Sequence, residues 1–247
     1  MSKIERVPTG ITGLDEMLAG GIPKGRVVLV VGGPGTGKTT LCAQFIINGI
    51  KDYGQTGLFI SLDESRNQLT REMISYGWDI LEFERARKWA FTDLSPTQKS
   101  EGQSRSGKLA IGRREFSLNS ALQSIRSGAK SVRAERLVLD PITSLVFQYP
   151  DIIQRRAIIL DLMEVLSATG ATTLMTTEMR TSGLERSLQL EEYLAHGVIV
   201  LQTLQVGKSI TRVLQIEKMR ETPIDTQIRP YRITSNGIEV YSRESVF

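Results

Sequence analysis

Residues 32–39 read GGPGTGKT and satisfy the spacing G-x-x-x-x-G-K-[ST]. A stretch of this kind can hold a chain of phosphates. Its glycines let backbone amides turn inward and approach phosphate oxygens with no Cβ in the way. Lys38 can reach the β- and γ-phosphates as a point charge, and the Thr39 hydroxyl suits a Mg²⁺ ion. The candidate contacts are therefore Gly33, Pro34, Gly35, Thr36, Gly37, Lys38, Thr39 and Thr40, with ATP and Mg²⁺ as the expected cofactors. Cys42, one turn further on, reads as a small core residue.

Carboxylates in two other places fit the same chemistry. Asp140 closes the apolar run RLVLD, where a second magnesium ligand is expected. Asp63 and Glu64 close the run LFISLD and so fall at the carboxyl edge of a sheet, where open α/β sheets bind ligands. A carboxylate there can orient water in line with a γ-phosphate. Asp63 or Ser65 can equally cap the helix that follows, with Glu64 in its dipole-favoured first turn. Residue chemistry alone leaves both readings open.

Strands must bring these groups together. Residues 26–31, 58–63, 136–140 and 171–177 are near-continuous apolar runs, the pattern of parallel strands covered on both faces. Helical patterns separate them. Residues 39–50 are apolar almost all round, 68–76 and 115–128 are mixed, and 151–169 carry a stripe through Ile153, Ala157, Leu160 and Glu164 that Ile158, Leu162 and Val165 widen. This alternation predicts an open α/β sheet. Four later segments, 198–206, 211–219, 229–234 and 237–242, predict antiparallel strands that extend it, so that residues 1–247 form one domain. Residues 95–114, rich in Ser, Gly, Lys and Arg, read as a surface loop.

The composition narrows the function classes. A single cysteine excludes an internal disulfide, and a single histidine, His196, argues against zinc or iron; His196 reads as structural. No apolar run is long enough to span a membrane, and the first residues lack a signal-peptide core, so a cytoplasmic location is expected. The net charge of +4 tolerates a polyanion without demanding one.

Several motifs together resemble the ATPase domains of the circadian clock protein KaiC, within the RecA-like P-loop group. They are TGITGLDEMLAGGIPKG (9–25), the phosphate loop, the Asp63-Glu64-Ser65 strand end, SYGWD (75–79), the strand to Asp140, TTLMTTE (172–178) and Lys218-Met219-Arg220. The likeness runs along nearly the whole chain and is weakest over 95–114. It implies that Glu64 activates the attacking water and Asp63 assists, although the family's pair is usually two glutamates. It further implies that Lys218, Met219 and Arg220 meet the nucleotide of a neighbouring subunit. Thr222, Thr234, Ser235 and Ser75 fall at nucleotide-contacting positions, and Arg212 at a basic one. A closed head-to-tail ring, typically of six, follows from the resemblance. Glu221 stands where the family usually has Gly, and Glu192-Tyr193 where the clock protein's autokinase half has a Ser-Thr phosphoacceptor pair, so the likeness stops short of self-phosphorylation.

The leading expectation is a ring-forming regulatory ATPase with an unidentified protein partner. One alternative is a recombinase-paralogue-like ATPase acting on single-stranded DNA, suggested by Arg105, Lys108, Arg113, Arg114, Arg126, Lys130, Arg133 and Arg136, a basic run with one aromatic, Phe116. The other is an ATP-sensing scaffold that does not hydrolyse.

Overall fold

The computed structural model describes residues 4–95, 118–179 and 188–246. The basic residues at 105, 108, 113 and 114, and most of the expected 95–114 loop, lie outside them. In chain order the elements are β1 (Arg6–Val7), α1 (Leu14–Met17), β2 (Ile22–Pro23), β3 (Val27–Gly32), α2 (Lys38–Tyr53), β4 (Gly57–Ser61) and α3 (Arg66–Ser75). Then come α4 (Ile80–Arg85), β5 (Trp89–Asp93), α5 (Leu118–Val132), β6 (Arg136–Asp140), α6 (Thr143–Val146), α7 (Ile152–Ala168) and β7 (Thr172–Glu178). The chain continues through α8 (Leu190–Leu194), β8 (Gly197–Val206), β9 (Ser209–Met219), β10 (Arg229–Thr234) and β11 (Gly237–Val240).

Among the described residues, nine strands form one sheet in the order β11-β10-β9-β8-β3-β7-β6-β4-β5. From β8 to β5 the pairs are parallel, and β8 through β11 pair antiparallel, as the sequence predicts. The continuous apolar reading of β3 has a direct cause. Val28 and Val30 pack into the core under α2, while Val27, Leu29 and Val31 pack into a second core with α5 and α7. Both faces are dry, so alternation is lost.

Three expectations need correction. The apolar stripe of α7 is rotated: Ile158, Ile159, Leu162, Met163, Val165 and Leu166 are buried, while Ile153 and Leu160 face outward. Gly128 does not end α5, which runs on to Val132; a Cβ at 128 would stand 3.1 Å from Leu58 Cδ2, so the glycine eases a close approach of helix to strand. Arg136 is no part of a basic surface. It is fully buried at the start of β6, where it donates to the carbonyls of Phe45 (2.6 Å) and Pro8 (2.7 Å) and to Gln55 Oε1 (2.6 Å). The rings of Phe45 and Tyr53 flank it, and burial lowers its pKa to about 10. The edge strand β5 and the short elements β1, β2, α1, α4, α6 and α8 were not foreseen. They are two to six residues long and carry too little pattern to read.

Candidate functional site

The phosphate loop leaves the carboxyl end of β3 and opens α2. Gly35 and Gly37 have φ of 70° and 85°, the left-handed region that side chains avoid. Gly37 is also packed, since a Cβ there would meet Ile233 Cδ1 at 2.8 Å. The β10–β11 hairpin thus closes over the loop, and the Tyr231 hydroxyl donates to the Thr36 carbonyl. Gln44 of α2 fastens the same hairpin through both polar groups of Ile238. Thr234 and Ser235 sit at its turn, where Thr234 Oγ1 donates to the Gly237 carbonyl at 3.0 Å. Arg212 of β9 lines a cleft of about 840 Å³ beside this hairpin, with Tyr231 and Thr234.

Lys38 Nζ donates to the carbonyls of Gly32 (2.9 Å) and Gly33 (3.1 Å). Burial lowers its pKa, and the charges of Asp140 and Glu178 work against that. Thr39 Oγ1 donates to Asp140 Oδ2 at 2.7 Å, and the Thr176 hydroxyl donates to the other oxygen. Asp140 is 6% exposed; burial raises its pKa while the two hydroxyls hold it down. One hydroxyl and one carboxylate side by side at the mouth of a phosphate loop fit Mg²⁺, which keeps several waters and takes few protein ligands.

The acidic pair follows β4, the strand paired with β6, so that Ser61 stands opposite Asp140. Ser65 caps α3 in a reciprocal arrangement with Gln68, one of the two caps the sequence allows, so Asp63 is not the cap. Asp63 instead accepts a hydrogen bond from Ser144 of α6. The Glu64 carboxyl is pushed up from 4.5 to about 7 by burial first, then by the charges of Glu72, Asp140 and Asp63.

Glu72 and Glu178 were missed by the sequence reading. Glu72, two turns along α3, approaches Thr40 Oγ1 (3.5 Å), and its own pKa is raised by burial and by Asp140. Nothing in the local sequence marks it. Glu178 closes an apolar strand as Asp140 does, and that signal could have found it. Ser75 ends α3 on the outside, donating to the Glu72 carbonyl at 2.6 Å.

Lys218, Met219, Arg220 and Thr222 are not brought to this site. Met219 pairs with Gly197, which pairs with Val28, whereas the loop begins at Gly32, in the row of Leu201 and Leu214. The four residues between the rows span about 13 Å. These groups therefore lie at the amino edge of the sheet. Lys218 Nζ donates to the carbonyls of Glu192 (3.1 Å) and Tyr193 (3.0 Å), and the Thr222 hydroxyl accepts from Arg6 (2.9 Å). The Met219 side chain is buried, so a nucleotide contact by this residue would fall to its backbone. Glu221 takes φ of 61°, in keeping with a position where glycine is usual, and pairs with Arg26 at 2.5 Å. His196 accepts from the Val27 amide through Nδ1 at 3.0 Å, joining β8 to β3, and burial followed by the cations Arg26, Arg220 and Lys218 lowers its pKa.

The family described as "ATPase: KaiC" matches residues 7–245. Among curated relatives, a UPF0273 protein of Pyrococcus horikoshii is 34% identical over 96% of this chain and 94% of its own length. A UPF0273 protein of Thermotoga maritima is 32% identical over 98% of each chain. The circadian clock oscillator protein KaiC of Parasynechococcus marenigrum is 31% identical over 97% of this chain but only 45% of its own length, so the chain spans about half of that protein. Among solved structures, a KaiC-like protein of Pyrococcus horikoshii superposes with a TM-score of 0.82 at 37% identity, covering 97% of this chain and all of that one. The chain belongs to the KaiC ATPase family.

Proposed function

We propose that the chain binds ATP with Mg²⁺ and hydrolyses it at a site completed by a neighbouring copy, in a closed ring of six. Lys38 and the loop amides of residues 33 and 35–40 hold the phosphates, with Pro34 shaping the turn, and Thr39 and Asp140 would hold the metal. Bound there, Mg²⁺ supplies charge neutralisation at the phosphate oxygens. Glu64 accepts the proton of the attacking water, and Asp63, held by Ser144, assists. Thr234, Ser235 and Ser75 meet the rest of the nucleotide from the flank of the loop.

The observation that carries this reading is a division between two edges. The carboxyl edge gathers Lys38, Thr39, Asp140 and a Glu64 whose proton affinity suits a base near neutral pH. The amino edge holds Lys218 and Arg220 far from their own loop. Cations so placed serve a phosphate only if a second copy stacks head to tail, and there they would stabilise charge on the γ-phosphate. A regulatory role, in which ATP occupancy alters subunit contacts, follows from the family.

Replacing Glu64 by Gln tests the chemistry. We expect steady-state ATP hydrolysis to fall by about 10²–10⁴-fold while ATP affinity stays within about twofold. Turnover that survives the change would remove Glu64 from the mechanism.

A further inference from the structure

A second cavity, of about 510 Å³, lies beyond the carboxyl end of β7, between α6, α7 and α8. Glu191 lines it and is 3% exposed, yet its carboxylate has no hydrogen-bond or ion-pair partner among the described residues. The residue is almost wholly enclosed, its carboxylate oxygens reach water only through the cavity, and no protein donor meets them there. The amino end of α8 eases the charge but supplies no bond to it. Arg155 shares the wall and does not pair with Glu191; its Nε and Nη2 donate to the carbonyls of Tyr149 (2.5 Å) and Pro150 (3.2 Å).

Polar and apolar side chains share the cavity wall. Val146, Phe147 and Met179 line the cavity, and Phe147 is 61% exposed. Ile152 and Ile153, which open α7 just before Arg155, are 59% and 75% exposed. Exposed large apolar side chains on α7 and at the cavity mouth, with an unpaired carboxylate in the cavity, suit an interface with a charged anchor.

We propose that this cavity seats a lysine or arginine side chain of another protein, carried on an apolar segment that covers Phe147, Ile152 and Ile153. The cation supplies the donor that Glu191 lacks, and the apolar neighbours supply the buried area. Glu178 lines the same cavity and also acts on Lys38 through its charge, so the seat adjoins the phosphate end of the nucleotide site. An occupant is thereby placed to sense or alter ATP occupancy, a consequence that rests on the function proposed above.

The test uses a fluorescein-labelled dodecapeptide of alternating Leu and Arg, the same peptide with Glu in place of Arg, and fluorescence anisotropy on the full chain. We expect saturable binding of the Leu–Arg peptide alone. Glu191→Gln and Phe147→Ser should each weaken it at least tenfold, whereas Glu164→Gln, at an exposed acid on the outer face of α7, should leave it unchanged. Unaltered affinity in either of the first two variants overturns the proposal, as does equal binding of the Leu–Glu peptide. Should Glu191→Gln fail to fold, Phe147→Ser decides alone. A smaller assembly of Phe147→Ser in sedimentation would show a face between copies of this chain and would equally overturn it. Lys38→Ala, which removes nucleotide binding, should retain the peptide affinity, so the two readings fail separately.

Discussion

Glu64 stands half-buried in a ring of carboxylates, and its chemistry follows from that setting. With its carboxyl raised from 4.5 to about 7, hydrolysis should fall as pH drops through about 7, because a protonated Glu64 cannot take a proton from water. A pH–rate profile checks this, and the same profile should be flat in Glu64→Gln. The shift also bears on stability. Below pH 4.5 the group is protonated both folded and unfolded, so its shift contributes no penalty; as pH rises through about 7 the folded state must carry an ionised, partly desolvated carboxylate and loses stability. Glu64→Gln should therefore stabilise the nucleotide-free protein by about 1–2 kcal/mol above pH 7, after discounting for solvent screening, and by nothing near pH 4. Urea unfolding at the two pH values measures it. At this scale the sequence was informative where a motif fixes spacing, as with Lys38, Thr39 and Asp140. It was silent on Glu72, whose relevance depends on α3 lying against α2, and it left open whether Asp63 or Ser65 caps α3, which the structure gives to Ser65.

Between the elements, the phosphate loop is shaped as much by the hairpin above it as by its own glycines. Gly37→Ala places a Cβ against Ile233 in a left-handed backbone, and we expect a loss of about 1–2 kcal/mol together with weaker ATP binding, read by thermal unfolding and titration. That contact joins residues nearly two hundred positions apart, which no local pattern reveals. Arg136 makes the same point. Charge patterning put it on a basic face, but its partners Pro8, Phe45 and Gln55 lie far away in the chain and draw it inside. Replacing it with Met should destabilise the fold by roughly 2–4 kcal/mol, because three oxygens lose their donor in a dry setting. The strands β3 and β6 were legible because burial on both faces leaves a near-continuous apolar run, and β7 is as buried although four of its seven residues are threonine. The stripe of α7 was not legible, since apolar residues stand on its outer face too, at Ile152, Ile153 and Leu160, and its periodicity does not single out a face.

For the whole molecule, the sheet separates two complementary edges. Asp63, Glu64, Asp140 and Glu178 gather at the carboxyl edge, and Arg26, Lys218 and Arg220 at the amino edge, an arrangement suited to head-to-tail stacking of copies. The element order and the family were readable from sequence because the motifs occur along most of the chain in one order. The geometry that keeps Lys218 and Arg220 from their own nucleotide was not, because it depends on the antiparallel return of β9 along β8. The most direct test mixes two inactive variants, Lys38→Ala, which cannot bind ATP, and Arg220→Ala, which cannot complete a neighbour's site. Co-assembled at equal amounts, about one quarter of the subunit boundaries in a ring should combine an intact loop with an intact arginine. The mixture should then hydrolyse ATP at about a quarter of the wild-type rate, although neither variant does so alone. A mixture as inactive as its parents, with assembly intact, would contradict a site shared between copies.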